Sequence, residues 1–74
     1  MNRHERRVEA AIERKFIHSR DLRERYRVSD MSIWRWLRND ELAFPKPTII
    51  NGRRYWLIDD LEQWERARAA KAAA

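Results

Sequence analysis

The chain has no cysteine, one glycine and two prolines among its 74 residues. Without cysteine there is no disulfide and no thiolate metal site. That excludes one common staple of a small domain. No apolar run approaches the ~20 residues that a membrane-spanning helix needs. The first residues hold no apolar signal core, and Glu5, Glu9 and Glu13 oppose a transit peptide. His4 and His18 are the only histidines and stand far apart. No carboxylate–histidine set therefore has metal-ligand spacing. No Ser-His-Asp or Cys-His arrangement emerges, and the carboxylates fall on expected helix surfaces and caps. An enzyme, a metal, a cofactor, a small-molecule substrate and a membrane partner are all unexpected.

What the chain does have is basic charge. Lysine and arginine number 17 against 12 acidic residues, a formal net charge of +5. Residues 1–27 carry nine basic and five acidic groups, 28–58 carry five and three, and 59–74 carry three and four. The excess sits in the first three-quarters. A basic balance fits nucleic acid, but it also fits a merely well-solvated surface. The length implies one domain. A domain this small buries only about 60% of its unfolded surface, so contacts with partners are an expected supplement.

Along the chain, Asn2 and Glu5 form a capping-box pattern ahead of a helix over 3–14. Val8, Ala11, Ile12 and Phe16 recur there at helical spacing. This stripe has three readings: packing on its own domain, packing on a neighbouring protomer, or lying on a membrane. The interspersed glutamates oppose the last. Residues 15–18 carry no helix signal of their own. Ser19 is a suitable N-cap for a short helix over 20–26 with Leu22 and Tyr26 inward. After Arg27-Val28-Ser29, Ser29 or Asp30 caps a helix over 30–39. Two short helices with a tight turn between them make a helix-turn-helix. Phe44-Pro45-Lys46-Pro47 cannot continue a helix. Thr48-Ile49-Ile50 and Arg54-Tyr55-Trp56-Leu57 are strand-like. Between them, Asn51-Gly52 is the strongest short hairpin signal, because a type I′ turn needs positive φ twice. Asp59 with Glu62 caps a last helix with Leu61 and Trp64 inward, and the alanine-rich end from Ala67 is expected to fray.

Helical phasing sorts the second short helix. Taking Ile33 as origin, Leu37 lies at about 40° and Trp36 at about 300°, whereas Arg35, Met31 and Arg38 lie at about 200°, 160° and 140°. The first three share a buried face and the last three point away. Arginines on the outer face supply donors for guanine O6/N7 and for phosphate oxygens. The basic hairpin tip Asn51-Gly52-Arg53-Arg54 follows close behind in the chain and can reach a minor groove.

Val28 through Arg38, then Phe44-Pro45-Lys46-Pro47, then Asn51-Gly52-Arg53-Arg54-Tyr55 resemble phage excisionases of the winged-helix type. These are also called recombination directionality factors, and the broader group includes AlpA-like regulators and the DNA-binding half of MerR-like activators. The resemblance covers roughly residues 16–64. It implies a recognition helix in the major groove and a wing in the adjacent minor groove. Met31, Arg35 and Arg38 match groove-facing helix positions, and Arg53 matches the wing residue after the glycine. Met31 departs from the pattern, standing where a polar reader is expected. The N-terminal helix is an extension beyond it. Such proteins bind direct repeats beside an integrase site, bend the DNA and favour excision without catalysing it. The implied partners are duplex DNA, further copies of the chain along it, and the phage integrase. The implied compartment is the bacterial host cytoplasm.

The expected fold is therefore α+β, mainly α: a winged helix-turn-helix over 16–66 with a two-stranded wing, an additional N-terminal helix in 1–15, and an alanine-rich tail over 67–74. Expected major-groove residues are Met31, Ser32, Arg35 and Arg38, and expected wing residues are Asn51, Gly52, Arg53 and Arg54. Ser29, Trp34 and Lys46 are phosphate-contact candidates, and Val8, Ala11, Ile12 and Phe16 are protein-contact candidates. Each has a plainer reading. Arg35 and Arg38 can be solvated charges, though the helix-turn-helix context favours DNA. Arg53 and Arg54 can be edge-strand gatekeepers. Strand alternation sends those two to opposite faces, which favours Arg53 as the reader. The serines are caps that can also meet a phosphate. Trp36 and Trp64 are expected in the core. Four tryptophans exceed what so small a core absorbs, so Trp34, Trp56 or both should sit half-exposed against a long side chain, DNA or another chain. Two other readings stay open: a transcriptional regulator of the same fold, and an adaptor that binds a recombinase.

Overall fold

Asn51 and Gly52 both adopt left-handed backbone angles, φ 51° and 76°, as the type I′ turn requires. They join β2 (Thr48–Ile50) to β3 (Arg53–Leu57) in an antiparallel hairpin, with Ile50 opposite Arg53 and Thr48 opposite Tyr55. The computed structural model describes residues 14–73. Arg14 and Lys15 are helical and run directly into β1 (Phe16–His18). Next come α1 (Ser19–Tyr26) and α2 (Asp30–Arg38), and α3 (Ile58–Ala73) follows β3 without a loop. The described residues thus form a small α+β domain, mainly helical, with three helices of this order and one three-stranded antiparallel sheet. Among them, no helix is long and apolar enough to cross a membrane.

β1 is a departure from the two-stranded expectation. It pairs with β3, so the sheet order is β1-β3-β2. Phe16 lies opposite Leu57, which takes it out of the helical stripe expected with Val8, Ala11 and Ile12. The physical reason is that β3 has two edges. The hairpin satisfies one, and the other would be left with unpaired N–H and C=O groups. Val8, Ala11 and Ile12 lie outside the described residues.

The caps follow from these junctions. Because β1 ends at His18, the helix starts at Ser19, and His18 rather than Ser19 caps it: its Nδ1 accepts from the Arg20 N–H at 3.2 Å. At the other end Arg27 turns left-handed at φ 53°. The Val28 N–H then reaches the Arg23 carbonyl at 3.0 Å, and the Arg27 N–H reaches that of Glu24. This is the Schellman pattern, with arginine in a position that favours glycine. Ser29 caps α2, its Oγ accepting from the Ser32 N–H at 3.2 Å. Asn39 ends the helix, and its Oδ1 accepts from the Glu41 and Leu42 N–H groups. Asp59 does not precede α3 as a cap. It lies in the first turn with Asp60, where negative charge complements the helix dipole. The alanine-rich end continues as helix to Ala73, in keeping with the high helix propensity of alanine.

Leu22, Ile33, Phe44, Trp56 and Leu61 form the buried core, drawn from both short helices, the loop, β3 and α3. Phe44 is its aromatic hub. Ring centroids of Trp64, Trp36 and Tyr26 stand 4.9, 5.3 and 6.0 Å from it, in edge-on geometry. Trp56, not Trp36 or Trp64, is the fully buried tryptophan. The other two are partly buried and pack around the core. Central-strand position decides this, because β3 has neighbours on both sides and a helix-covered face. Two indoles also anchor the α2–β2 loop. Trp56 Nε1–H donates to the Pro45 carbonyl at 2.8 Å, and Trp64 Nε1–H donates to that of Leu42 at 2.9 Å.

Glu65 pins α3 to α1. Its carboxylate accepts from Arg25 Nε and Nη2 at 2.8 and 2.9 Å and from the Tyr26 hydroxyl at 2.7 Å. The hydrogen bonds from Arg25 hold the Glu65 carboxyl below its ordinary range. Burial, then the bond to Glu65, pushes the Tyr26 phenol above its own. The bond to Glu65 raises the Arg25 guanidinium further.

Candidate nucleic-acid interface

α2 buries Ile33 completely and turns Trp36 and Leu37 partly inward. The opposite face is therefore solvent-facing, and Met31, Trp34, Arg35 and Arg38 are all exposed. Nine residues give the helix a length of about 13 Å, which spans about four base-pair steps. Its outer diameter of about 10–12 Å matches a major groove about 12 Å wide. Trp34 is half-exposed, and the Arg38 guanidinium lies over its ring at 4.6 Å from the centroid. That contact holds Arg38 on this face by a cation–π attraction.

One side-chain contact couples the hairpin to this helix. Arg54 Nη2 donates to Asp30 Oδ1 at 3.0 Å, tying β3 to the first turn of α2. Arg54 also lies over the Trp56 ring at 5.7 Å. It is thus occupied within the domain, whereas Arg53, one residue earlier, is exposed at the hairpin tip with Asn51 and Gly52. Alternation along β3 accounts for the difference. Among the described residues, Arg35, Arg38 and Arg53 have no carboxylate partner, in contrast to Arg25, Arg54 and Arg66. Lys46 is exposed between the two prolines of the loop. Ser29 and Ser32 share a hydroxyl contact of 3.2 Å at the start of α2, beside the Arg54–Asp30 pair.

Residue-level reasoning on the sequence overlooked a second basic feature. Arg20, Arg23 and Arg27 line an open cleft of about 640 Å³ where α1 turns into α2, together with Glu24, Ser29 and Asp30. Part of the signal was present: a spacing of three residues places Arg20 and Arg23 within about 60° of one another on a helix. Arg27 occupies its left-handed position in spite of the preference for glycine there. Phosphate oxygens of a duplex lying along α2 would meet cations at this cleft as well. Among the described residues, no group of three His, Asp or Glu side chains is placed to hold a metal ion.

No family model, curated protein or solved structure matches this chain. The geometry of the site joins an exposed helix face with two unpaired arginines, a hairpin held to the start of that helix, a third unpaired arginine at the hairpin tip, and a basic cleft alongside. The unpaired guanidinium groups can donate hydrogen bonds to anionic oxygens.

Proposed function

We propose that this protein is a winged helix-turn-helix, sequence-specific DNA-binding protein that acts as a phage excisionase. In this reading α2 enters the major groove with Arg35 and Arg38 as donors, and Met31 and Ser32 sit against the base edges and backbone. The hairpin is the wing, and Asn51, Gly52 and Arg53 reach the adjacent minor groove. Ser29 and Lys46 lie where phosphates would run, and Trp34 stands on the flank of the groove-facing helix face. Arg54 aims the wing through Asp30 rather than reading DNA first-hand. The observation that carries the reading is the Arg54–Asp30 contact of 3.0 Å. It ties the hairpin to the first turn of α2, although the two are separate in sequence, and so supports a helix and a wing that act together.

The role is architectural and non-enzymatic. Protomers on successive repeats touch one another and bend the DNA so that distant integrase sites meet. Bending a short site costs of order 1–6 kcal/mol. Phosphate contacts and contacts between protomers offset that cost. The integrase performs strand exchange in the bacterial cytoplasm.

Two experiments in sequence test this. Selection from randomised duplexes should enrich a discrete motif, and Arg35→Ala should lose it. Failure to enrich any motif removes the DNA-binding assignment. An in vitro recombination assay with the cognate integrase should then show excision rising when the protein is added. Motif binding with no effect on excision would identify a transcriptional regulator of the same fold. The adaptor reading draws on exposed Met31 and Trp34. It predicts that recombinase binding survives loss of Arg35 and Arg53.

A further inference from the structure

Met31 and Trp34 are anomalous on a face that is otherwise basic and polar. They are 57% and 51% exposed. Together with Ser29 and Asp30 they line an open, largely apolar recess of about 580 Å³ at the start of α2. Separation by three residues puts the two side chains on one helix face. Arg38 covers part of the Trp34 ring, and Arg35 stands exposed on the same side of the helix.

The occupant of this recess has to satisfy two conditions. It should be anionic, because the unpaired Arg38 lies over the Trp34 ring and the one carboxylate in the lining, Asp30, is already paired with Arg54. It must also offer an apolar group small enough for a site built from two side chains. A protein partner fits poorly: stable interfaces cover roughly 800 Å² on each side. Two apolar residues supply a small fraction of that, and among the described residues the other large exposed apolar side chain, Ile49, lies on β2. Duplex DNA fits both conditions. Its major groove carries one apolar group among the donors and acceptors of the base edges, the C5-methyl of thymine.

We infer that Met31 and Trp34 form a thymine reader, taking the C5-methyl group of one thymine in the major groove. This rests on the DNA-binding reading above and adds a base identity to it. Asp30 does not oppose it, because its carboxylate is paired with Arg54. The departure at Met31 from a polar reader then has a physical meaning: the position reads a methyl group by burial rather than a base edge by hydrogen bonding. Met31 and Arg38 are separated by seven residues, about 10 Å along the helix axis, or about three base-pair steps. The thymine should therefore lie within about four base pairs of the position that Arg38 meets.

The test uses the full chain and a duplex selected from a randomised pool. Each thymine is replaced in turn by deoxyuridine, which removes one methyl and leaves every hydrogen-bonding group in place. At one or two adjacent positions the wild-type affinity should fall about fourfold, the ratio expected for one buried methyl. Met31→Ala should bind the thymine and uracil duplexes equally at that position, and Trp34→Ala should narrow the difference. Both side chains are exposed, so circular dichroism should show both variants folded. Uracil tolerated at every position, with binding otherwise specific, overturns the inference and leaves the DNA-binding reading standing. A uracil penalty of the same size in wild type, Met31→Ala and Trp34→Ala assigns the methyl to another contact and overturns it too. If no duplex is bound by the wild type, the underlying reading and the inference fall together.

Discussion

Replacing Glu65 by alanine should destabilise the domain by about 2 kcal/mol, and the structure shows how that figure is composed. The carboxylate takes two parallel hydrogen bonds from Arg25 and one from the Tyr26 hydroxyl. In isolation each charge-assisted bond would contribute about 1.5–3 kcal/mol. The side chains of Arg25 and Glu65 are each 34% exposed. Water can therefore replace much of the ion pair, and about 1 kcal/mol is a fair upper value for it. The Tyr26 hydroxyl is more enclosed, and losing its acceptor adds about 1 kcal/mol. For a domain of this size, 2 kcal/mol lowers the melting temperature by about 8–16 °C. Thermal and urea unfolding followed by tryptophan fluorescence measures it, since Trp36 and Trp64 flank Tyr26. The pH dependence checks the origin of the effect. The Glu65 pKa is lowered in the folded state, so its contribution is present above its ordinary value of about 4.5. It is lost as pH falls through the folded value. The gap between wild type and Glu65→Ala should accordingly shrink below about pH 4.5. Tyr26 works in the opposite sense. Its folded pKa is raised, so its contribution is full below about pH 10 and is lost at higher pH. A variant within about 0.5 kcal/mol of wild type at neutral pH, or a gap that stays constant down to pH 3, would refute this account of how α3 is held.

Further expectations concern the proposed interface. Arg35→Ala should cost about 1–3 kcal/mol in specific DNA binding and relax the sequence preference, as read by competition gel shift. Unchanged affinity and preference would remove Arg35 from the interface. Arg53→Ala should weaken binding with a smaller change in preference, because the minor-groove code is degenerate. Strong loss of discrimination at major-groove positions would contradict that placement. Affinity should fall linearly on a log–log plot against salt, with a slope set by the number of phosphates neutralised. A flat plot would favour the adaptor. Gly52→Ala should cost about 1 kcal/mol in urea unfolding purely from its φ of +76°, since nothing lies within 4 Å of the added methyl. Stability equal to wild type would argue against the positive φ.

Local chemistry accounts for much of what could be read before the structure. Asn51-Gly52 prescribes its turn through backbone freedom, whatever the rest of the chain does. Ser29 caps α2 with its own side chain. The phase of Ile33, Trp36 and Leu37 separates an inner from an outer helix face. The exposure of Met31, Arg35 and Arg38 follows from that phase alone. Trp34 also met expectation, half-exposed against a long side chain, Arg38. Helical spacing also puts Arg20 and Arg23 together, whereas Arg27 joins them only through the left-handed turn after α1.

The rest depended on contacts between distant segments. Phe16–His18 is too short to declare itself, and it is a strand only because β3 offers a free edge. That pairing moved Phe16 from a helix stripe to the sheet and passed the α1 cap from Ser19 to His18. Which tryptophan fills the core was decided by the placing of Trp56 on the central strand, a property of sheet order. Phe44 became the aromatic hub because the loop folds back under two indole hydrogen bonds. Strand alternation already separates Arg53 from Arg54, but the partner that engages Arg54, Asp30, is supplied by the tertiary fold. The sequence by itself determined the hairpin turn, the Ser29 cap and the inner face of each described helix, because these depend on residues within a turn or two. Tertiary structure decided the third strand, the core tryptophan and the aim of the hairpin, because each depends on a partner that no local rule names.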